Sequence, residues 1–184
     1  KNLYKGLRYN QSKVKIYGCQ LFIWPDSILN IICDSCEIEH GIVPDKVLVN
    51  GNYYLYRDDR INNDVGPSFR YKKIFDYKIN FNERNDLLVV LPYFDYEIIN
   101  ILKIIKNTEY NYGKITIKFH PTTDINRYRD SVPAEAVISN VDIYDLFNNA
   151  KIILSIESGA LVEGVSVGIP AIVLKNTEIF TQSS

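Results

Sequence analysis

The clearest patterning of apolar and polar positions begins near residue 86. Leu87-Leu88-Val89-Val90-Leu91 is a continuous apolar run stopped by Pro92. That length and finish predict a strand buried on both faces of a parallel sheet. From Asp95 to Asn107 the period changes, with Ile98, Ile99, Leu102 and Ile105 at helical spacing. Asp95 and Glu97 fall in the first turn, where the positive end of the helix dipole favours them. Gly113 introduces a second strand, Ile115 to Phe119, closed by His120-Pro121.

The alternation then repeats. Ala136-Val137-Ile138 forms a minimal third strand, and Ser139 or Asn140 caps a helix whose stripe is Ile143, Leu146, Phe147 and Ala150. Ile152-Ile153-Leu154 gives a fourth strand, Gly159 to Val167 a short helix ended by Gly168, and Pro170 to Leu174 a fifth strand. Strands alternating with helices predict an α/β fold: a Rossmann-like parallel sheet, right-handed crossovers and helices on both faces.

The first 85 residues are less regular. Lys46 to Gly51 reads as a strand entering a turn, and Val65-Gly66-Pro67 as another turn. Asn62-Asn63-Asp64 and Asn80 to Asp86 are polar stretches suited to loops, and the second is the expected boundary. The division is therefore 1–85 and 86–184, with the second part ending soon after its fifth strand.

Composition narrows the function classes. The chain has 184 residues, 46% of them hydrophobic, sufficient for a buried core. Its 21 basic and 22 acidic residues are balanced, which removes the electrostatic case for nucleic acid as a partner. No run approaches the ~20 apolar residues of a spanning helix, and the basic, aromatic start lacks the apolar core of a secretory signal. Three cysteines are few for a disulfide scaffold and predict a reducing, cytoplasmic setting. The absence of methionine, even at residue 1, carries the expectation that the natural chain is longer.

Ligands of an open parallel sheet bind outside the carboxyl ends of its strands, where strand order reverses. If the five strands run in the order 3-2-1-4-5, the crevice lies between the first and fourth. His120 and Ser158 then share its rim. Ser155 to Ala160 joins a strand to a helix through small residues, leaving backbone N–H groups and a hydroxyl at a helix start able to hold phosphate. Glu163 follows within reach of ribose hydroxyls. The alternative is an ordinary cap at Ser158, with Gly159 present for close packing. The segment lacks the Gly-Lys-Ser/Thr ending of a Walker loop. His120 is either a fixed donor to phosphate, or an acid, or an exposed loop residue.

Cys33 and Cys36 form a CxxC, with His40 four residues on and Cys19 upstream, a set able to supply zinc ligands. One CxxC without a second pair is weak support, and ordinary thiols are the expectation, with no metal. Tyr53, Tyr54 and Tyr56 read as strand or core packing.

Taken together, the motifs resemble a family. Lys118-Phe119-His120-Pro121 is similar to the K-x-H-P element of bacterial surface-polysaccharide transferases of GT-B type. These include capsule Kdo transferases, polysialyltransferases and teichoic-acid glycerophosphotransferases. Asp142, Tyr144 and Leu146 fit the start of the form D-x-Y-x-L-x-x-A-x-x-x-x-S, and Ala150 and Ser155 keep its closing spacing one residue later. Ser158, Glu163, Gly168, Pro170 and Ile172 fit S-x-x-x-x-E-x-x-x-x-G-x-P-x-I. A fainter likeness, through Gly18-Cys19-Gln20, Pro44 to Gly51 and Val65 to Tyr71, is to surface-carbohydrate biosynthesis proteins.

The resemblance implies the C-terminal half of a GT-B architecture, preceded by the end of an N-terminal domain and the crossover. It implies a transferase that moves a sugar from a nucleotide-sugar donor to a glycan acceptor in capsule or other polysaccharide biosynthesis. His120, Ser158, Gly159 and Ala160 would bind donor phosphate, His120 being also the catalytic candidate, and Glu163 would bind the donor ribose or sugar. No cofactor is implied. The implied setting is the cytoplasm, with peripheral association at the inner face of the membrane. A nucleotide-sugar 2-epimerase-like enzyme and a non-catalytic nucleotide-binding module stay open beside it.

Overall fold

The computed structural model describes residues 14–20, 35–78, 84–109, 111, 113–156 and 158–174. Two compact units divide the chain, Lys1–Lys72 and Lys73–Ser184.

In the first unit, β1 (Tyr17–Cys19), β2 (Lys46–Val49) and β3 (Asn63–Val65) form a parallel sheet in that order, with helix α1 (Ser35–Glu39) between β1 and β2 in sequence. Its core is small: Val47, Val49 and Ile61 are buried, with Ile38, Tyr54 and Tyr56 packed against them. The polar stretch Asn62-Asn63-Asp64, expected as a loop, instead supplies most of β3. The Asn63 amide makes this tolerable by accepting from the Tyr56 N–H at 2.9 Å and donating to the Ile61 carbonyl at 2.9 Å. The three tyrosines also divide. Tyr54 and Tyr56 pack as expected, whereas Tyr53 sits on the 3-10 helix Asn52–Tyr54 with 73% of its surface exposed.

Most of α2 (Lys72–Asp76) belongs to the second unit. It is followed by β4 (Asp86–Val90), α3 (Asp95–Lys106), β5 (Ile115–Lys118), a 3-10 helix (Ile125–Ser131) and β6 (Ala136–Ile138). Then come α4 (Ile143–Phe147), β7 (Ala150–Ser155), α5 (Gly159–Ser166) and β8 (Ala171–Val173). All five strands are parallel, in the order β6-β5-β4-β7-β8, which is the expected 3-2-1-4-5. The alternate residues of β4 serve two cores. Leu87 and Val89 face Ile98, Ile101, Leu102 and Ile105 of α3 and Tyr128 of the 3-10 helix. Leu88 and Val90 join Ile153, Phe147 of α4 and Leu161 of α5 on the other side. Each such side chain contributes roughly 1.5–3 kcal/mol by leaving water. Both faces are covered, and the unit is a Rossmann-like α/β layer structure.

The helix after β6 is shorter than its apolar stripe suggests. Its cap is Asp142, whose Oδ1 accepts from the Tyr144 N–H at 2.9 Å, and neither Ser139 nor Asn140 takes that place. Ala150, fourth in the stripe, begins β7 opposite Asp86. Lys73 approaches the Asp142 carboxylate to 2.9 Å, and Tyr77 OH lies 2.7 Å from both the Tyr144 carbonyl and the Asn148 amide oxygen. These contacts hold residues 73 to 77 against α4. The expected boundary, Asn80 to Asp86, lies largely outside the described residues, as does Cys33.

Helix α5 ends as the sequence suggests. Gly168 adopts φ 89°, and the Gly168 and Ile169 N–H groups bond back to the Val165 and Gly164 carbonyls, each at 2.9 Å. This closing pair of bonds requires a left-handed residue, which glycine supplies without strain.

Candidate functional site

The strand order places the exits of β5, β4 and β7 side by side on one edge. His120 follows β5, Tyr93 follows β4, and Ser158 follows β7. His120 and Ser158 are therefore two strand spacings apart, about 10 Å between strand axes, with the loop after β4 between them. The point where strand order reverses lies between β4 and β7, so this edge is where the fold offers a crevice.

Helix α5 begins at that edge with few atoms of its own in the way. Ser158 is the cap, and its hydroxyl accepts from the Ala160 N–H at 3.2 Å. The cap reading and the ligand reading are compatible, because a capping hydroxyl keeps its own proton to donate. The packing reading of Gly159 is not what the structure shows: a side chain at Gly159 would meet nothing within 4 Å among the described residues. Close packing falls to Gly164, where a methyl group would stand 3.3 Å from Ile153 Cδ1. No acidic residue occupies the first turn of α5, so its dipole and the Gly159 N–H keep their attraction for an anion.

Glu163 lies one turn beyond Gly159, on the same face of the helix. It is 8% exposed, and no hydrogen bond or ion pair holds it among the described residues. Its carboxylate is therefore free to accept hydroxyl or amide hydrogens from a ligand. Ser155, at the end of β7, is fully buried, and its hydroxyl also lacks a partner among the described residues.

His120 is exposed, and its orientation is set locally. Nδ1 lies 2.8 Å from Thr122 Oγ1 and 3.4 Å from the Thr122 N–H, which donates to it. A neutral ring whose Nδ1 accepts carries its proton on Nε2, leaving that N–H to meet a ligand. The Tyr93 ring stands edge-on to the imidazole, with centroids 5.5 Å apart. Lys118, the first residue of the K-x-H-P element, points elsewhere. Its ammonium donates to the Val141 carbonyl at 2.5 Å and fastens the β6–α4 turn to β5.

Sequence reasoning did not single out the residues after β4. Asp95, at the start of α3, accepts from Arg127 Nη2 at 2.6 Å and from Tyr128 OH. The Tyr128 hydroxyl, and after it the Arg127 guanidinium, hold this carboxyl below its usual range. Their contribution is to join the 3-10 helix to the first turn of α3. The acidic first turn was a helix signal, but its partners came from a crossover for which no element was expected.

A concave region lies one strand further out. Thr123, Asp124, Asn126, Arg129 and Asn140, over Ile125 and Ile138, line an open groove of about 730 Å³ near the exits of β5 and β6. None of His120, Ser158, Gly159, Ala160 or Glu163 lines it. In the first unit, His40 Nδ1 donates to the Cys36 carbonyl at 2.8 Å and lies 3.6 Å from Cys36 Sγ. No cluster of three or more metal-ligating side chains occurs among the described residues. No helix among them is long and apolar enough to cross a membrane.

No family model matches the sequence, and no curated protein matches it. Among solved structures, the chain is similar to Thermosulfurimonas dismutans KpsC, a beta Kdo 2,7 transferase, at 12% identity and a TM-score of 0.36, over 86% of this chain and 78% of that one. An overlap of this size leaves function to be argued from the residues themselves.

Proposed function

We propose that the second unit is the donor-binding part of a glycosyltransferase, which holds the phosphate of a nucleotide-sugar at the start of α5. One observation carries the reading. The first turn of α5 has no carboxylate, the space above Gly159 is open, and Glu163 waits unpartnered on the same helix face one turn away. An anion at the N–H groups and a hydroxyl-bearing ring beside it satisfy both halves of that arrangement. The family resemblance in Ser158, Glu163 and the Lys118-to-Pro121 element points the same way.

In this reading the Ser158 hydroxyl and the Gly159 N–H bind phosphate oxygens, the Ala160 N–H is shared between Ser158 Oγ and the phosphate, and the Nε2–H of His120 reaches them from the β5 side. As an acceptor hydroxyl bonds to the anomeric carbon and gives up its proton to water, the bond from that carbon to the phosphate oxygen breaks, and the oxygen leaves with the electron pair. The donors fixed at this edge stabilise that growing charge without having to reorganise. Glu163 accepts hydroxyl hydrogens from the donor ribose or sugar. The glycan acceptor, and a setting at the inner face of the membrane, complete the proposal.

Titration calorimetry with CMP, UDP, GDP and CDP-glycerol tests it. At least one should bind, and His120→Ala and Ser158→Ala should each weaken that nucleotide several-fold. Absence of binding by the whole panel, or unchanged affinity in both variants, removes the assignment. A bound nucleotide-sugar that is converted without any acceptor would shift the reading to an epimerase.

A further inference from the structure

The loop after β4 carries an exposed aromatic ledge that the preceding reading leaves unused. Tyr93 and Phe94 keep 62% and 52% of their surface in water, and Tyr96 keeps 48%. Their rings touch in series. Tyr93 and Phe94 meet edge to face at 5.6 Å, while Phe94 and Tyr96 lie 25° from parallel at 6.0 Å. At its other end the series reaches the imidazole of His120. Three adjoining rings left in water forfeit the gain their burial would bring. They do so at the edge of the sheet where the fold places ligands.

We infer that Tyr93 and Phe94 stack the base of a nucleotide whose phosphate lies toward His120 and the start of α5. The inference rests on the donor reading and specifies which part of the ligand these rings meet. Two features favour a planar base over other occupants. Stacking needs only an aromatic face, and every base has one. A sugar is held through its hydroxyls, whereas Asp95, the carboxylate beside the rings, is turned to Arg127 and Tyr128, one donor on each oxygen. A protein partner would need an interface of about 1,200 Å² or more, far larger than three rings provide.

The experiment compares UMP, CMP and AMP with ribose 5-phosphate and with methyl glucoside, by calorimetry and by the NMR shifts of the Phe94 ring. The proteins are the whole chain, Phe94→Leu, Phe94→Trp and His120→Ala, each first checked by thermal melting. Phe94→Leu should weaken the nucleotides roughly tenfold and leave ribose 5-phosphate unchanged, and Phe94→Trp should restore the nucleotides. His120→Ala should weaken nucleotides and ribose 5-phosphate alike. Equal affinity of Phe94→Leu and the parent for every nucleotide overturns the ledge while the phosphate site stands. Loss confined to methyl glucoside, or a dimer abolished by Phe94→Leu, also overturns it. A His120→Ala variant that binds every probe normally, with Phe94→Leu still selective against nucleotides, removes the phosphate assignment and keeps the ledge. No binding by any nucleotide overturns both.

Discussion

Two helices of the same sheet start at the same edge, and they treat that edge in opposite ways. Helix α3 opens with Asp95 and Glu97, and Asp95 is tied to Arg127 and Tyr128. Its dipole is answered by its own side chains. Helix α5 opens with Ser158, Gly159 and Ala160, has no acidic residue in its first turn, and leaves space above Gly159. A helix start is thus not a binding site by geometry alone. What separates the two is whether the chain has already supplied the negative charge.

The largest effect should come from loosening the helix that anchors the closed start. Ile101 of α3 is fully buried, and Ile101→Ala should cost about 2–5 kcal/mol by emptying the space it fills. Chemical denaturation reads this loss, and a cost near zero would mean that α3 is not held by its core face. Next in size is Ser158→Asp. Aspartate caps a helix as well as serine does, so melting should hold or rise, while nucleotide affinity should fall at least about tenfold as the new carboxylate meets the phosphate. Retained affinity would show that the open start is not where anions bind.

Asp95→Asn should act more weakly, and its sign follows from the depressed carboxyl. A group whose folded-state pKa is lowered stabilises the fold above its unfolded value, about 4, and that contribution is lost as pH falls through the folded value. Melting curves of the parent should therefore decline in acid more steeply than those of Asp95→Asn, with a small difference because the pair is exposed. Parallel curves would sever the link from Asp95 to the 3-10 helix. The smallest effect belongs to Gly159→Ala, which should gain about 0.4–1 kcal/mol by restricting the unfolded chain, since nothing obstructs the added methyl. If stability rises while nucleotide affinity drops, the open space is the ligand's.

Much of the second unit was legible because parallel strands covered on both faces must be apolar at successive positions. Leu87 to Leu91, Ile115 to Phe119 and Ile152 to Leu154 announce themselves in this way. Where the same residue types serve two periods, the sequence misleads. Ala150 fits the stripe of α4 by spacing, yet it pairs with Asp86 at the start of β7. The first unit was harder, since strands of three or four residues are too short to display alternation, and Asn63 is held in β3 by side-chain bonds to Tyr56 and Ile61. The edge positions of His120 and Ser158 followed from where their strands end. The contact of the His120 ring with Tyr93 did not, because strand order does not fix where side chains at the strand exits point. The burial of Glu163 was equally hidden, being decided by what packs over α5.

Because β4 to β8 all point the same way, the unit has a working end and a foundation end. At the foundation, the Gly113 N–H donates to the Asn85 carbonyl at 3.0 Å, and Lys114 and Lys151 face water. The carboxyl-end rule for parallel sheets assigns ligands to the other end. Attachment to a sensor chip through those lysines keeps the tether at the end of the sheet opposite the strand exits.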